Sequence, residues 1–273
     1  MSVWEYGKAI LLGILEGITE WLPVSSTGHM LLLDDVLSLS GSEGFKDSFF
    51  VIIQLGAVLA VIRLFWQKMI PLGRGDAGGI VWKRDALLLW GKAALACLPG
   101  AAAVVLLRDA ESELESPWVI AAALIGYGIV FLLLETGKAP RIRKTEEIRF
   151  RDALGVGLFQ VLSVVPGTSR SGSTILGGLA LGMDRSAAAE FSFILAVPVM
   201  AGYSGVKLLK NGIPFTPGEW SLLLTGAGTA YLVSLAVVKK LMDYVRLHSF
   251  APFGWYRIAL GAAVLVKLWV AKV

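Results

Sequence analysis

The sequence is poor in what soluble and secreted domains depend on. It has one cysteine, Cys97, inside an apolar segment, so no intramolecular disulfide can form. Charged residues make up only 17% of the 273-residue chain, against roughly 25% in an ordinary soluble domain. That excludes a soluble globular protein. The strict apolar–polar alternation of a membrane β-barrel is also missing. No basic segment precedes the first apolar stretch, which itself carries two glutamates, so a cleaved signal peptide is not expected. What is present is hydrophobic: 56% of residues and a mean hydropathy of +0.70. The chain therefore reads as an integral membrane protein built of helices. Its net charge of +4 fits basic cytoplasmic loops, not nucleic-acid binding.

The stretch Leu11 to Met30, LLGILEGITEWLPVSSTGHM, departs from ordinary membrane sequence. Glu16 and Glu20 lie four residues apart on one helix face, about 40° apart around the axis. Pro23 then ends the helix. The residues that follow are Ser25, Ser26, Thr27, Gly28 and His29, one of only two histidines. A second break occurs at Pro166, after a helix expected over Ala153 to Val165. It continues as Gly167-Thr168-Ser169-Arg170-Ser171-Gly172-Ser173-Thr174. Both units are too short and too polar to cross as single helices, and each reads as a re-entrant helix–loop–helix. Non-helical backbone at that depth must be buried in protein or line a cavity.

Six other stretches are apolar enough to cross: 48–66, 86–107, 117–134, 186–206, 221–238 and 251–266. A crossing needs about 20 residues. The basic loops 67–84, 135–152 and 239–248 then share one side, which the positive-inside rule makes cytoplasmic. The acidic loop 108–116, loop 207–220 and both termini fall outside. The first re-entrant unit enters from outside and the second from the cytoplasm. The expected fold class is thus all-α integral membrane, an inverted-topology repeat of six transmembrane helices plus two re-entrant helix–loop–helix units. Repeat one covers about 1–136, a cytoplasmic linker 137–150, and repeat two about 151–273, in a single membrane domain. The segments GILEGITEWLPVSSTG and GLFQVLSVVPGTSRSG are similar once small gaps are allowed.

An inverted repeat brings its broken elements together near the midplane. Glu16, Glu20, Ser26 and His29 would then face Ser169, Arg170, Ser171 and Thr174. Charges there cost roughly 2.5–3.5 kcal/mol each even on insertion scales, so each needs a cavity or a partner. Pro-Gly-Thr-Ser-Arg-Ser-Gly has the make-up of an anion cradle: close backbone, hydroxyl donors and a guanidinium that grips phosphate in two places. The plainer reading is a helix break that satisfies its own backbone, which leaves Arg170 unexplained. Glu16 and Glu20 suit a divalent cation, Mg²⁺ or Ca²⁺; the plainer reading pairs a carboxylate with Arg170. His29, three residues after Ser26, suits a nucleophile–base pair, or else a packing role. His248 is expected to be solvated. Lys92 either snorkels or lines the bundle interior, and Glu190 and Gln54 either support the site or cap crossings. The lipid phosphatases related to acid phosphatases are excluded, since their motif needs a histidine at Leu176 and an aspartate at Ala180.

At Glu16-Gly-Ile-Thr-Glu20, Pro23-Val-Ser-Ser-Thr-Gly-His29 and Pro166-Gly-Thr-Ser-Arg-Ser-Gly172, the chain resembles the undecaprenyl pyrophosphate phosphatase family of the integral-membrane, bacitracin-resistance type. Weaker echoes are Glu190 to Pro198 and Pro252-Phe-Gly-Trp-Tyr-Arg257. The resemblance covers the whole chain. It implies hydrolysis of a polyprenyl diphosphate lipid at the bacterial cytoplasmic (inner) membrane, with the active site opening to the periplasmic or outer face. Glu16 and Glu20 would bind the divalent cation or assist proton transfer. Ser25, Ser26, Thr27 and Gly28 would contact the diphosphate, with Ser26 as nucleophile and His29 as base, or His29 itself as nucleophile. Arg170, with Ser169, Ser171, Gly172 and Thr174, would clamp the phosphates. No nucleic acid is involved, and a homodimer is one open option. The rival reading is a transporter or flippase for a polyprenyl phosphate, since inverted repeats with broken helices also build transporters.

Overall fold

The computed structural model describes residues 2–42, 44–74, 79–107, 111–134, 140–211 and 215–270. Its helices in chain order are α1 (Val3–Thr19), α2 (Ser26–Leu37), α3 (Phe45–Leu64) and the single turn α4 (Trp66–Met69). A two-stranded hairpin follows, β1 (Leu72–Arg74) against β2 (Ile80–Trp82). Then come α5 (Arg84–Leu106), the short α6 (Glu111–Leu114), α7 (Pro117–Leu134), α8 (Phe150–Gln160), α9 (Arg170–Ala180), α10 (Arg185–Asn211), α11 (Pro217–Val245) and α12 (Ala251–Val270).

Five of these, α5, α7, α10, α11 and α12, are long and apolar enough to cross a membrane. The apolar part of α3, Ser48–Leu64, is shorter. The chain is therefore an all-α, multi-pass membrane protein. α7 occupies the residues expected of it, whereas α11 begins earlier and runs later than 221–238. The early start comes from a capping box: Glu219 N–H donates to Thr216 Oγ1 (3.3 Å) and Thr216 N–H to Glu219 Oε2 (2.8 Å), with Pro217 in the first turn. The late end corrects the basic loop 239–248, because Lys239 to Val245 are helical. Loop 67–84 holds α4 and the hairpin, which the sequence reading missed. The helix expected over Ala153 to Val165 stops at Gln160 and tightens into a 3₁₀ turn, Val161–Val164; Ser163 Oγ donates to the Gln160 carbonyl there (2.7 Å). The expected boundary near 136, and Lys138 in the linker, lie outside the described residues.

Packing pairs elements that are distant in sequence. α1 lies along α11, and α8 along α5. Both contacts are close: a Cβ on Gly13 would stand 2.5 Å from the Gly226 carbonyl oxygen, and one on Gly157 2.5 Å from that of Ala96. α3 packs on α10 and α11. α7 lies along α12 around Ala121, Leu124, Leu260 and Val264. At one end of the bundle Lys68, on α4, bonds Glu190 of α10 (2.6 Å) and Glu146 (3.2 Å). Partial burial opposes the Lys68 ammonium, but the two carboxylates outweigh it and its pKa is raised. Thr145 Oγ1 donates to the same Glu190 oxygen, so Glu190 ties the inter-helix segment to the bundle.

Candidate active site

Each of the two polar breaks holds a serine with positive φ. Ser25 (φ 73°) and Ser169 (φ 69°) are the only described non-glycine residues in the left-handed region, a conformation that costs an ordinary side chain about 1–3 kcal/mol and clusters at functional sites. Each immediately precedes a helix, and each hydroxyl caps it. Gly28 N–H donates to Ser25 Oγ (3.4 Å), and Gly172 N–H to Ser169 Oγ (3.1 Å). The serines, glycines and prolines of the two motifs are thus what turns the chain sharply and starts a new helix.

The second break carries the cation. Arg170 Nη2 donates to Glu20 Oε1 (2.9 Å), and Nη1 to the Ser192 carbonyl on α10 (2.9 Å). Its guanidinium lies 5.9 Å from the ring centroid of Trp21, which is fully buried. Thr174 Oγ1 bonds Ser192 Oγ (2.6 Å), and Ser169 and Ser171 hydroxyls lie 3.1 Å apart. Ser171 Oγ also donates across to the Leu22 carbonyl (3.3 Å). Glu16, one turn before Glu20, is buried, and its Oε1 has no hydrogen-bond partner. The two carboxylates therefore separate: Glu20 has a guanidinium and Glu16 has an unanswered oxygen. A divalent ion would satisfy that oxygen, and Glu16 with Glu20 form a fitting two-carboxylate donor set. Among the described residues no group of three His, Cys, Asp or Glu side chains is placed to hold a metal. Such an ion would take its other ligands from substrate oxygens and water.

His29 stands on the first break's helix, but its partner is not Ser26. Nδ1 lies 2.7 Å from the Ser25 carbonyl, and Nε2 2.7 Å from the Tyr256 hydroxyl. A carbonyl only accepts, so Nδ1 carries the proton; in the neutral ring Nε2 is then the acceptor of the Tyr256 O–H. The imidazole is fixed, with its basic nitrogen identified. Ser26 and His29 share the first turn of α2, yet no hydrogen bond joins them among the described residues. Thr27 is exposed, and His248 is exposed and stacked on Tyr244 at 4.5 Å.

Arg257 on α12 ties the two breaks together. It is fully buried, Nη1 donating to the Pro23 carbonyl (3.1 Å) and Nη2 to the Gly167 carbonyl (2.8 Å). Gly167 has φ +94°, and a Cβ there would stand 2.6 Å from the Ile120 carbonyl oxygen, so only glycine fits. Depth along the bundle follows from Gly28, which faces Leu124, near the middle of α7, and Leu260 of α12. The echoes Glu190 to Pro198 and Pro252 to Arg257 contain Ser192, Tyr256 and Arg257, but sequence reasoning gave none of them, nor Trp21, a role in the site. The available signal was an arginine within an otherwise apolar last crossing.

The chain's relatives bear on this arrangement. Its residues 9–263 match the family described as Bacitracin resistance protein BacA. It is 51% identical over 266 residues to an undecaprenyl-diphosphatase of Enterococcus faecalis, covering 96% of both chains. It is 47% identical over 267 residues to one of Lachnoclostridium phytofermentans, covering 97% of each. For one of Desulfitobacterium hafniense the identity is 46% over 271 residues, again with 97% of each chain covered. A match over nearly the whole length, taking in both broken elements and the arginine that joins them, means that the chain belongs to the bacitracin resistance protein BacA family.

Proposed function

We propose that this chain hydrolyses undecaprenyl diphosphate to undecaprenyl phosphate and inorganic phosphate. The observation that carries the reading is the pairing of buried Glu20 with half-buried Arg170, 2.9 Å apart. It lies where two strained polar turns meet, with the Thr174 and Ser192 hydroxyls bonded beside it. A diphosphate entering here takes over the guanidinium hydrogens that Glu20 now holds, because Arg presents a fork that matches two phosphate oxygens. The Ser169, Ser171 and Thr174 hydroxyls add donors on the same helix start.

Ser26 Oγ is the nucleophile of this reading. It attacks the terminal phosphorus, the bridging phosphorus–oxygen bond breaks, and undecaprenyl phosphate leaves. Water then hydrolyses the phosphoserine and releases phosphate. His29 accepts the proton at Nε2, the nitrogen that the Ser25 carbonyl leaves unprotonated; Tyr256 holds that nitrogen in the resting site and yields it. A divalent cation, Mg²⁺ or Ca²⁺, would be held by Glu16 and Glu20 and would neutralise charge on the diphosphate. The unpartnered Glu16 oxygen is what supports that assignment.

The architecture of the proposal is an inverted repeat with α3 as a sixth crossing, set in the bacterial inner membrane with both termini and the site's opening on the outer face. Paired features support it. Ser25 and Ser169 share a positive φ and a capping role. α1 packs on α11 as α8 packs on α5, through Gly13 and Gly157, which precede Ser25 and Ser169 by the same interval. Glu16 and Gln160 follow those glycines by the same interval, and each keeps a buried Oε1 without a partner. The deciding experiment is phosphate release from undecaprenyl diphosphate by purified protein in detergent, where no gradient exists. Turnover supports the hydrolase; binding of polyprenyl phosphate without any release would mean a transporter. Rapid quench with substrate labelled in the terminal phosphate should trap label on Ser26, and label on His29 would reassign the nucleophile.

A further inference from the structure

A second charged site lies at the end of the bundle where α4, the start of α5 and the segment around Glu146 meet. A cavity of about 380 Å³ is lined there by Lys68, Lys83, Arg84 and Lys92, with Asp85 and Glu146 as the acidic members. Four cations therefore face two lining carboxylates, and Lys68 is already held by Glu146 at 3.2 Å and by Glu190 at 2.6 Å, which leaves Lys83, Arg84 and Lys92 against Asp85. The cavity is thus a basic one with charge to spare.

Lys92 is the residue that this setting does not explain. It is 8% exposed, two turns along α5 from Arg84. Side chains on a helix tilt toward its N-terminus, so its stem runs back toward the cavity. An ammonium has three hydrogens to donate. Lys92 Nζ makes one hydrogen bond, to the Glu146 backbone carbonyl at 3.3 Å, and among the described residues no carboxylate pairs with it. A nearly buried ammonium with Asp85 and Glu146 near it but no carboxylate at ion-pair distance is costly. The mouth of the cavity offers further donors, since Lys83 at the N-cap of α5 and Arg84 after it both line the cavity and helix starts favour anions.

The surroundings indicate what kind of anion fits. The hairpin leading into α5 exposes Ile80 (79%) and Trp82 (67%). Apolar side chains and a tryptophan beside lysine and arginine, directly before a crossing, are what a chain presents at the boundary of a bilayer. Leu88 lines the cavity and Leu87 beside it is exposed on α5, so an acyl chain has a path down the helix from the basic end.

We propose that this cavity binds a phosphate group at the membrane surface, with Lys92 as its buried counter-ion and Lys83 and Arg84 at its mouth. The phosphate belongs either to an anionic lipid headgroup or to free phosphate, and two arms of one experiment separate them. Purified full-length protein in detergent is titrated with phosphatidylglycerol or phosphatidylcholine and read by native mass spectrometry; inorganic phosphate is titrated by calorimetry. The expected result is retention of phosphatidylglycerol at least about tenfold more tightly than phosphatidylcholine, the equivalent of one charge-assisted hydrogen bond. Lys92→Met should remove that preference, and so should Lys83→Ser with Arg84→Ser, two exposed changes that keep the fold testable. Phosphate uptake that depends on Lys92, without any lipid preference, supports the site and makes free phosphate its ligand. Equal retention of both lipids with no phosphate uptake overturns the proposal, as does wild-type binding in both variants.

Discussion

His29 Nε2 and the Tyr256 hydroxyl lie 2.7 Å apart although they belong to opposite ends of the chain. The bond holds the imidazole from its outer side while the Ser25 carbonyl holds it from within. Tyr256→Phe removes only the hydroxyl. A single hydrogen bond of about 1 kcal/mol corresponds to roughly fivefold, and phosphate release should fall by that order through kcat, with KM little changed. His29→Ala should lose at least about 10²-fold, the scale of general base catalysis. Full activity in Tyr256→Phe beside an inactive His29→Ala would show that the bond only parks the ring.

Arg170 directs its two terminal nitrogens to different acceptors, Glu20 and the Ser192 carbonyl. Lysine keeps the charge and loses the fork. Arg170→Lys should therefore be nearly as inactive as Arg170→Ala, measured as phosphate release from detergent-solubilised protein. A lysine variant within a few-fold of wild type would mean that a point charge is enough.

For the cation, the two glutamates should behave differently. Glu20→Gln leaves Arg170 without its partner, while Glu16→Gln removes the charge of a buried and unanswered carboxylate. Chelator should abolish phosphate release in the wild type, with recovery on adding Mg²⁺ or Ca²⁺. Glu16→Gln should lower activity and raise the metal concentration for half-maximal rate, yet leave thermal stability in chelator unchanged or higher. Metal-independent turnover in wild type, or a Glu16→Gln variant with an unaltered metal requirement, would remove the cation from the site.

Arg257 makes a separate prediction, because its targets are backbone. Arg257→Met leaves the Pro23 and Gly167 carbonyls buried and unpaired, and each such group costs about 1–3 kcal/mol. The expected outcome is a lower thermal unfolding midpoint together with lost activity. Arg257→Lys should recover little of either, since one ammonium does not span two carbonyls on different breaks. Wild-type stability in the methionine variant would show that the two turns hold together without their staple.

The orientation is tested with single cysteines in a Cys97→Ser background. Glu113→Cys should react in whole cells with an impermeant thiol reagent, and Arg246→Cys only after the membrane is opened. Both positions are exposed. The reverse pattern would turn the whole assignment, including the outward opening of the site, inside out.

What the sequence disclosed was whatever depends on local chemistry. The extent of α7 follows from an apolar run bounded by Pro117 and the residues after Leu134, and the breaks follow from Pro23 and Pro166. The meeting of Glu20 with Arg170 was legible because an unpaired charge at that depth demands a partner. The plainer pairing of the two is the one the structure contains. Spacing pointed to Ser26 as the partner of His29, but spacing along one helix cannot weigh a hydroxyl arriving from α12. Arg257 stood in the echo Pro252 to Arg257, but its role was not legible there, because its acceptors are the backbone carbonyls of Pro23 and Gly167. α8 ends early at Gln160 because Ser163 draws on a carbonyl that the helix would otherwise share, a competition too local for hydrophobic period to register. The hairpin before α5 is three residues on each side, below what alternation can distinguish from a polar loop.

The pairing of α1 with α11 has a consequence for how the protein is made. The surface that covers Gly13 and the neighbouring face of α1 is synthesised only after α2 through α10 have been built. At about 5–20 residues per second, that delay is on the order of ten seconds or more. During it the helix carrying Glu16, with Glu20 at its end, has no α11 beside it, and Glu20 has no Arg170 until α9 emerges. A segment made before α2 through α10 is therefore among the last to reach its final neighbours. A chain stopped before Pro217 leaves α1 without the surface it packs on, which makes α11 the segment that completes assembly as well as a crossing in its own right.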